Sequence, residues 1–187
     1  MTPSPPPPEP APVPFDTGWC LRANRWCERG AVFALFAATS RLGDGLAWYL
    51  LMAALVVADG WQGVAASAHM AATGAVALVL YRGLKRHTRR PRPFAADARI
   101  RAWIAPLDEY SFPSGHTLHA VAFSAVAAWH YPVLAWLLVP FALAIAASRV
   151  VLGLHYPSDV LAALAIGAAL ALLSIGLGPA AVALLAG

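Results

Sequence analysis

Residues 133–177 read VLAWLLVPFALAIAASRVVLGLHYPSDVLAALAIGAALALLSIGL. Two apolar runs flank a short polar island. Val133 to Ala147 carries no charge and continues past Ser148-Arg149 to about Leu152, and Val160 to Leu177 is likewise uncharged and largely apolar. Each run approaches the roughly 20 residues a helix needs to cross a hydrocarbon core. Ala163, Gly167 and Ala171 keep the small-xxx-small spacing that lets membrane helices approach closely. Ser148, Arg149, His155 and Asp159 collect at the end the two runs share.

The same pattern extends through the chain. Of 187 residues, 60% are hydrophobic and 12% charged, with mean hydropathy +0.64. An ordinary soluble domain is nearer half apolar and a quarter charged. Leu46 to Ala58, Val64 to Tyr81 and Thr117 to Ala128 supply three further apolar segments. The expected fold is an all-α polytopic membrane helix bundle with about five to six transmembrane helices. Trp19 to Ser40 reads as an interfacial or partly inserted helix, because Arg22, Arg25, Glu28 and Arg29 interrupt it. Residues 1–17 read as a disordered proline-rich tail, with eight prolines before Phe15. Residues 18–187 form the expected membrane domain. Cys20 and Cys27, seven positions apart on one helix, are too distant to form a disulfide.

Net charge is +4, from 13 Lys+Arg against 9 Asp+Glu. Lys85 is the single lysine. In the five-span arrangement every basic residue falls on one side, which the positive-inside rule makes cytoplasmic in a cell membrane. Aromatic-interleaved basic modules are absent from the sequence, so nucleic acid is not an expected partner. Membrane lipids are, with Arg86, Arg89, Arg90, Arg99 and Arg101 facing anionic headgroups. Trp48, Trp61, Trp103 and Trp129 read as interface anchors.

Polar residues are costly in so apolar a chain, and they cluster. Lys85 is followed six residues later by Arg92-Pro93. Ser111-Phe112-Pro113-Ser114-Gly115-His116 precedes one span, and Ser148-Arg149, His155 and Asp159 lie between two others. Five spans bring all three clusters to one membrane face. Lys85, Arg92 and Arg149 offer three positive charges, two of them planar forks suited to phosphate oxygens. Ser114 fits a helix N-cap and Gly115 lets backbone N–H groups approach an anion. Asp159, four residues after His155, can fix the imidazole tautomer and leave the other ring nitrogen as a nucleophile. His116 can act as general acid and then as base for water. The chemistry reads as phosphate ester hydrolysis through a phosphohistidine, with no metal or other cofactor.

These three clusters resemble, in order and internal spacing, the signature of the type 2 phosphatidic acid phosphatase and vanadium haloperoxidase superfamily. The resemblance implies that His155 is the nucleophile, Asp159 its orienter and His116 the acid–base group. It also implies that Lys85, Arg92, Ser114, Gly115, Ser148 and Arg149 hold the phosphate. Membrane members act on lipid phosphates and diphosphates such as phosphatidate, phosphatidylglycerol phosphate and undecaprenyl diphosphate, so the expected partner is a lipid phosphate substrate. A phosphatase for a soluble ester and a small membrane transporter are the competing expectations. A lateral opening toward lipid would favour the first expectation. Asp44 reads as a helix N-cap, Asp108-Glu109 as a solvated loop pair, and His69, His87, His119 and His130 as structural residues.

Overall fold

The computed structural model describes residues 15–186, with side chains to Leu177. Residues 1–14 of the expected tail lie outside the described residues. Phe15 to Thr17, also assigned to that tail, instead open the first helix. Seven α-helices follow in order: α1 Phe15–Asn24, α2 Gly30–Gly43, α3 Leu46–Thr88, α4 Pro93–Ala96, α5 Gly115–His130, α6 Ala135–Val151 and α7 Pro157–Ala186. The described residues contain no strand. Three helical stretches, Leu46–Ala96, Pro132–Val151 and Pro157–Leu177, are long and apolar enough to cross a membrane.

The 43-residue α3 is two arms rather than one rod. Asp59 and Gly60 leave helical geometry, Gly60 with φ +51° and ψ −120°. Beyond them the chain turns back on itself. Ser67 Oγ donates to the Met52 carbonyl at 3.0 Å, whereas 15 residues of straight helix would separate them by about 22 Å. A Cβ on Gly63 would lie 1.9 Å from the Leu55 carbonyl oxygen, so only glycine permits this closeness. Arms 46–58 and 61–88 therefore coincide with the two separate apolar segments read from the sequence.

α5 is the central helix, packed against α3, α6 and α7. Its seam with α7 uses the small-residue stripe: Ala163 and Ala171 are fully buried, and a Cβ on Gly167 would stand 2.7 Å from the Leu118 carbonyl oxygen. Trp48 corrects an expectation. Rather than anchoring at the interface it is 2% exposed, with its ring centroid 5.3 Å from that of Phe123 and 5.6 Å from that of Phe141. Burying so large an aromatic in the core outweighs a headgroup-level position. Trp61 and Trp129 stay exposed.

The expected helix from Trp19 to Ser40 is interrupted. A 3-10 turn at Arg25–Glu28 separates α1 from α2, and Arg29 is extended. α1 docks beneath the loop that joins α6 to α7. Asn24 Nδ2 donates to the carbonyls of Arg101 and Val151 at 3.0 and 3.1 Å, and its Oδ1 accepts from the Arg101 N–H at 3.0 Å. The buried thiols of Cys20 and Cys27 reach the carbonyls of His155 and Val151, and both cysteines are free. At the opposite end of the bundle, His69 bridges His130 Nε2 at 3.1 Å and Ser174 Oγ at 2.6 Å. Tyr131 donates to Asp59 there at 2.8 Å.

Candidate active site

The three clusters converge where α3 ends and α5 and α7 begin. Ser114 is the N-cap residue of α5. α7 opens at Pro157, with Asp159 in its first turn, as proline's fixed φ and the helix dipole favour. One cavity of about 770 Å³ is lined by Lys85, Arg92, Gly115, His116, Arg149 and His155. Lys85, Arg92, Arg149 and His155 are 5%, 2%, 2% and 1% exposed.

His155 lies at the centre of the cluster. Arg92 NH1 is 3.3 Å from its Nε2. A guanidinium only donates, so this approach makes Nε2 the acceptor and puts the ring proton on Nδ1. Nδ1 faces Asp159 Oδ2 at 3.7 Å, beyond hydrogen-bond length, and has no other partner. The expected histidine–aspartate pair is thus assembled but loose. Burial above all, with Arg149, Arg92 and Lys85 nearby, pushes His155 down to about 3 against the opposing pull of Asp159. At neutral pH the imidazole is a free base.

That shift has a stability consequence. The folded imidazole resists protonation, while the unfolded one takes a proton near pH 6.5. Below that pH the unfolded chain binds more protons, so the contribution of His155 is full above about 6.5 and is lost as pH falls toward 3. Wild-type protein should therefore melt at a lower temperature in detergent at pH 5 than at pH 7.5. His155→Asn should narrow that gap in the same thermal scan.

Asp159 is held more firmly than sequence reasoning foresaw. Arg90 NH1 donates to its Oδ1 at 2.7 Å. Oδ2 accepts from Ser111 Oγ and, at 2.9 Å, from the Tyr156 N–H. Arg90 is itself held by Asp16 of α1 at 2.8 Å, and its guanidinium lies 4.2 Å from the Tyr156 ring centroid. Arg90 thus braces Asp159 instead of facing headgroups. With Lys85, Arg92 and Arg149 lining the cavity, only the remaining arginines bear on membrane orientation.

Three other partners were missed. Asp44 is the C-cap of α2 and not an N-cap. Gly45 precedes α3, and the Asp44 carboxylate accepts a hydrogen bond from His116 Nε2–H. Ser40 of α2 accepts from Arg149 NH1, while Arg149 Nε has no partner. Asp108 is a partly solvated loop residue that also reaches inward: its Oδ1 accepts from Lys85 Nζ and Arg92 NH2, each at 2.8 Å. The only sequence signal for Asp108 was its place three residues before Ser111. Asp44 and Ser40 carried none, because they reach the site through α2 packing.

Two expected ligands stand differently. Ser148 turns its hydroxyl to the Ile145 carbonyl of its own helix at 2.6 Å and does not line the cavity. A helical serine commonly bonds back to the preceding turn in this way. The Ser114 hydroxyl engages Thr117 Oγ1 at 2.9 Å and is fully buried. Gly115 does line the cavity, and a Cβ there would meet the Tyr81 ring at 3.3 Å.

The cavity does not stop at the cations. It continues along Trp48, Tyr49, Met52, Ala71, Gly74, Ala75 and Leu78, between the arms of α3 and α5. From Lys85 to Ala71 is 14 residues along one arm, about 21 Å. Tyr49, Ala71 and Ala75 are exposed, so the groove opens on the outer flank of the bundle.

Residues 62–182 match the family model described as the PAP2 superfamily. Over 131 residues the chain is 35% identical to decaprenylphosphoryl-5-phosphoribose phosphatase of Mycolicibacterium smegmatis, covering 66% of each. Over 76 residues it is 40% identical to undecaprenyl-diphosphatase BcrC of Bacillus subtilis, covering 41% of this chain and 39% of that protein. The chain thus spans between about two fifths and two thirds of these relatives. Aquifex aeolicus LpxE superimposes with TM-score 0.76 at 22% identity, over 88% of this chain and 96% of that one. The transmembrane PAP2-type phosphatidylglycerolphosphate phosphatase of Bacillus subtilis gives TM-score 0.65 at 22% identity, over 88% and 84%. The fold is shared with both structures, the family match encloses all three polar clusters, and the chain belongs to the PAP2 superfamily.

Proposed function

We propose that this chain is an integral membrane phosphatase that removes the terminal phosphate of a lipid phosphate or diphosphate through a phosphohistidine on His155, without a metal. The observation that carries the reading is the continuous cavity. Its inner end is cationic and holds His155, and its outer part is an apolar groove open on the flank of α3. A soluble ester needs no such groove, whereas a lipid chain fills it at little cost to its surroundings. The relatives named above include an undecaprenyl-diphosphatase and a decaprenylphosphoryl-5-phosphoribose phosphatase, so we favour a polyprenyl chain. The arms of α3, with α5, α6 and α7, make five crossings. α1 and α2 lie along the site face, on the arginine-rich cytoplasmic side.

In this mechanism Arg92, Arg149, Lys85 and the Gly115 end of α5 neutralise the phosphoryl oxygens. The His155 Nε2 lone pair attacks phosphorus in line. A P–N bond forms as the P–O bond to the lipid breaks, and His116 delivers a proton to the leaving oxygen where one is needed. Nδ1–H keeps its proton toward Asp159, which stabilises the imidazolium. Water then attacks phosphorus, His116 takes its proton, the P–N bond breaks and inorganic phosphate departs. Asp44 at Nε2 of His116 leaves Nδ1 as the nitrogen that exchanges the transferred proton.

The test is phosphate release in detergent with EDTA from undecaprenyl diphosphate, phosphatidylglycerol phosphate, phosphatidate and a water-soluble monoester. The long-chain lipids should turn over and the soluble ester should not. Preference for the soluble ester, or activity abolished by EDTA and restored by a divalent metal, would defeat the proposal.

A further inference from the structure

The carboxylate of Asp108 sits where an anion is expected. Its Oδ1 is 2.8 Å from both Lys85 Nζ and Arg92 NH2, two cations that line the cavity beside His155. Lys85 and Arg92 side chains are 6% and 2% exposed, but that of Asp108 is 40% exposed. The cations belong to the interior, while the anion reaches in from the loop. Partial burial pushes the Asp108 carboxyl up, yet its hydrogen bond to Lys85 and the charges of Lys85 and Arg92 bring it below the usual value.

The carboxylate is not needed to position those cations. Arg92 Nε donates to the Asp108 carbonyl at 2.9 Å, and NH1 donates to the Leu154 carbonyl at 2.8 Å. Lys85 donates to the Tyr110 carbonyl at 2.6 Å. Backbone oxygens thus fix both groups, and they persist whatever residue 108 carries. What the carboxylate adds is one negative charge on the donors that a phosphoryl oxygen would use.

Resting on the phosphatase reading, we infer that Asp108 is a built-in counter-anion that competes with substrate and product phosphate for Lys85 and Arg92. Displacing it weakens every phosphate ligand. A lipid recovers the loss through its chain in the groove, whereas free phosphate has no chain and is expelled. Asp108 therefore limits product inhibition at a cost in ground-state affinity, which uniform binding would otherwise raise without benefit to turnover.

The experiment titrates inorganic phosphate into the full-length protein in detergent by calorimetry. Asp108→Asn and Asp108→Ala are compared with wild type. Each should bind phosphate at least about tenfold more tightly, the scale of removing a charged hydrogen-bond competitor. Both should also show stronger phosphate inhibition of turnover. Glu109→Gln removes an equal charge from the next residue, which lines the same cavity, and should change affinity less than about threefold, as a screened charge outside the contact would. Unchanged or weaker binding in the Asp108 variants would overturn the inference, since the carboxylate would then be positioning the cations. An equal gain in Glu109→Gln would also overturn it, as a general field effect. Tighter binding in a protein that hydrolyses no lipid would sink the phosphatase reading and leave this inference standing.

Discussion

His155→Ala should abolish phosphate release, by about 10⁴-fold or more, while leaving the fold intact. A nucleophile that forms the covalent intermediate has no substitute within reach, and losses of this size follow its removal in other covalent enzymes. The fold should survive because the imidazole carries little of the local structure. Its Nδ1 has no hydrogen-bond partner, and Arg92 NH1 keeps the Leu154 carbonyl when the ring is gone. The loop is held instead by backbone bonds, His155 N–H to the Arg149 carbonyl at 3.0 Å among them. Activity and the thermal melt of the purified variant in detergent, measured together, check both halves of this expectation. Retained turnover would remove His155 from the mechanism.

Arg92→Lys should lower kcat by about 10²- to 10³-fold, the scale seen when one oriented donor to a charged transition state is lost. The charge is conserved, so a mere need for positive potential would leave kcat nearly unchanged. Arg92 does more. Its fork joins the Asp108 carbonyl, the Asp108 carboxylate, the Leu154 carbonyl and His155 Nε2. One ammonium cannot span those directions. The lost contact to His155 also frees the ring to adopt the other tautomer, with Nε2 protonated and unable to attack. Steady-state kinetics should therefore show the fall chiefly in kcat. A change confined to KM would mean that Arg92 contributes ground-state binding alone.

The central helices and the three clusters were legible in the sequence because both stand out from their surroundings. A charged residue such as Arg149 amid apolar neighbours has few reasons to be there. The break at Asp59–Gly60 was visible as a gap between apolar runs. The groups that hold the site residues were not legible. Asp44, Ser40, Asp16 and Arg90 meet their partners across 72, 109, 74 and 69 sequence positions. Nothing in local pattern marks such pairings, since each residue has an ordinary cap, turn or surface role by composition. Trp48 misled for a related reason. Its place near a helix end suggested a headgroup contact, but the Phe123 and Phe141 rings that enclose it come from other helices.

Direct trapping of the intermediate tests the covalent mechanism. A polyprenyl diphosphate labelled in its terminal phosphate is mixed with His116→Ala in EDTA and quenched in base within the first turnover. The departing lipid monophosphate needs little protonation, so the first step should survive this substitution, while water attack loses its base. The account predicts base-stable, acid-labile label on His155, absent when His155 is alanine. Turnover without a labelled protein, or label on another residue, would contradict it.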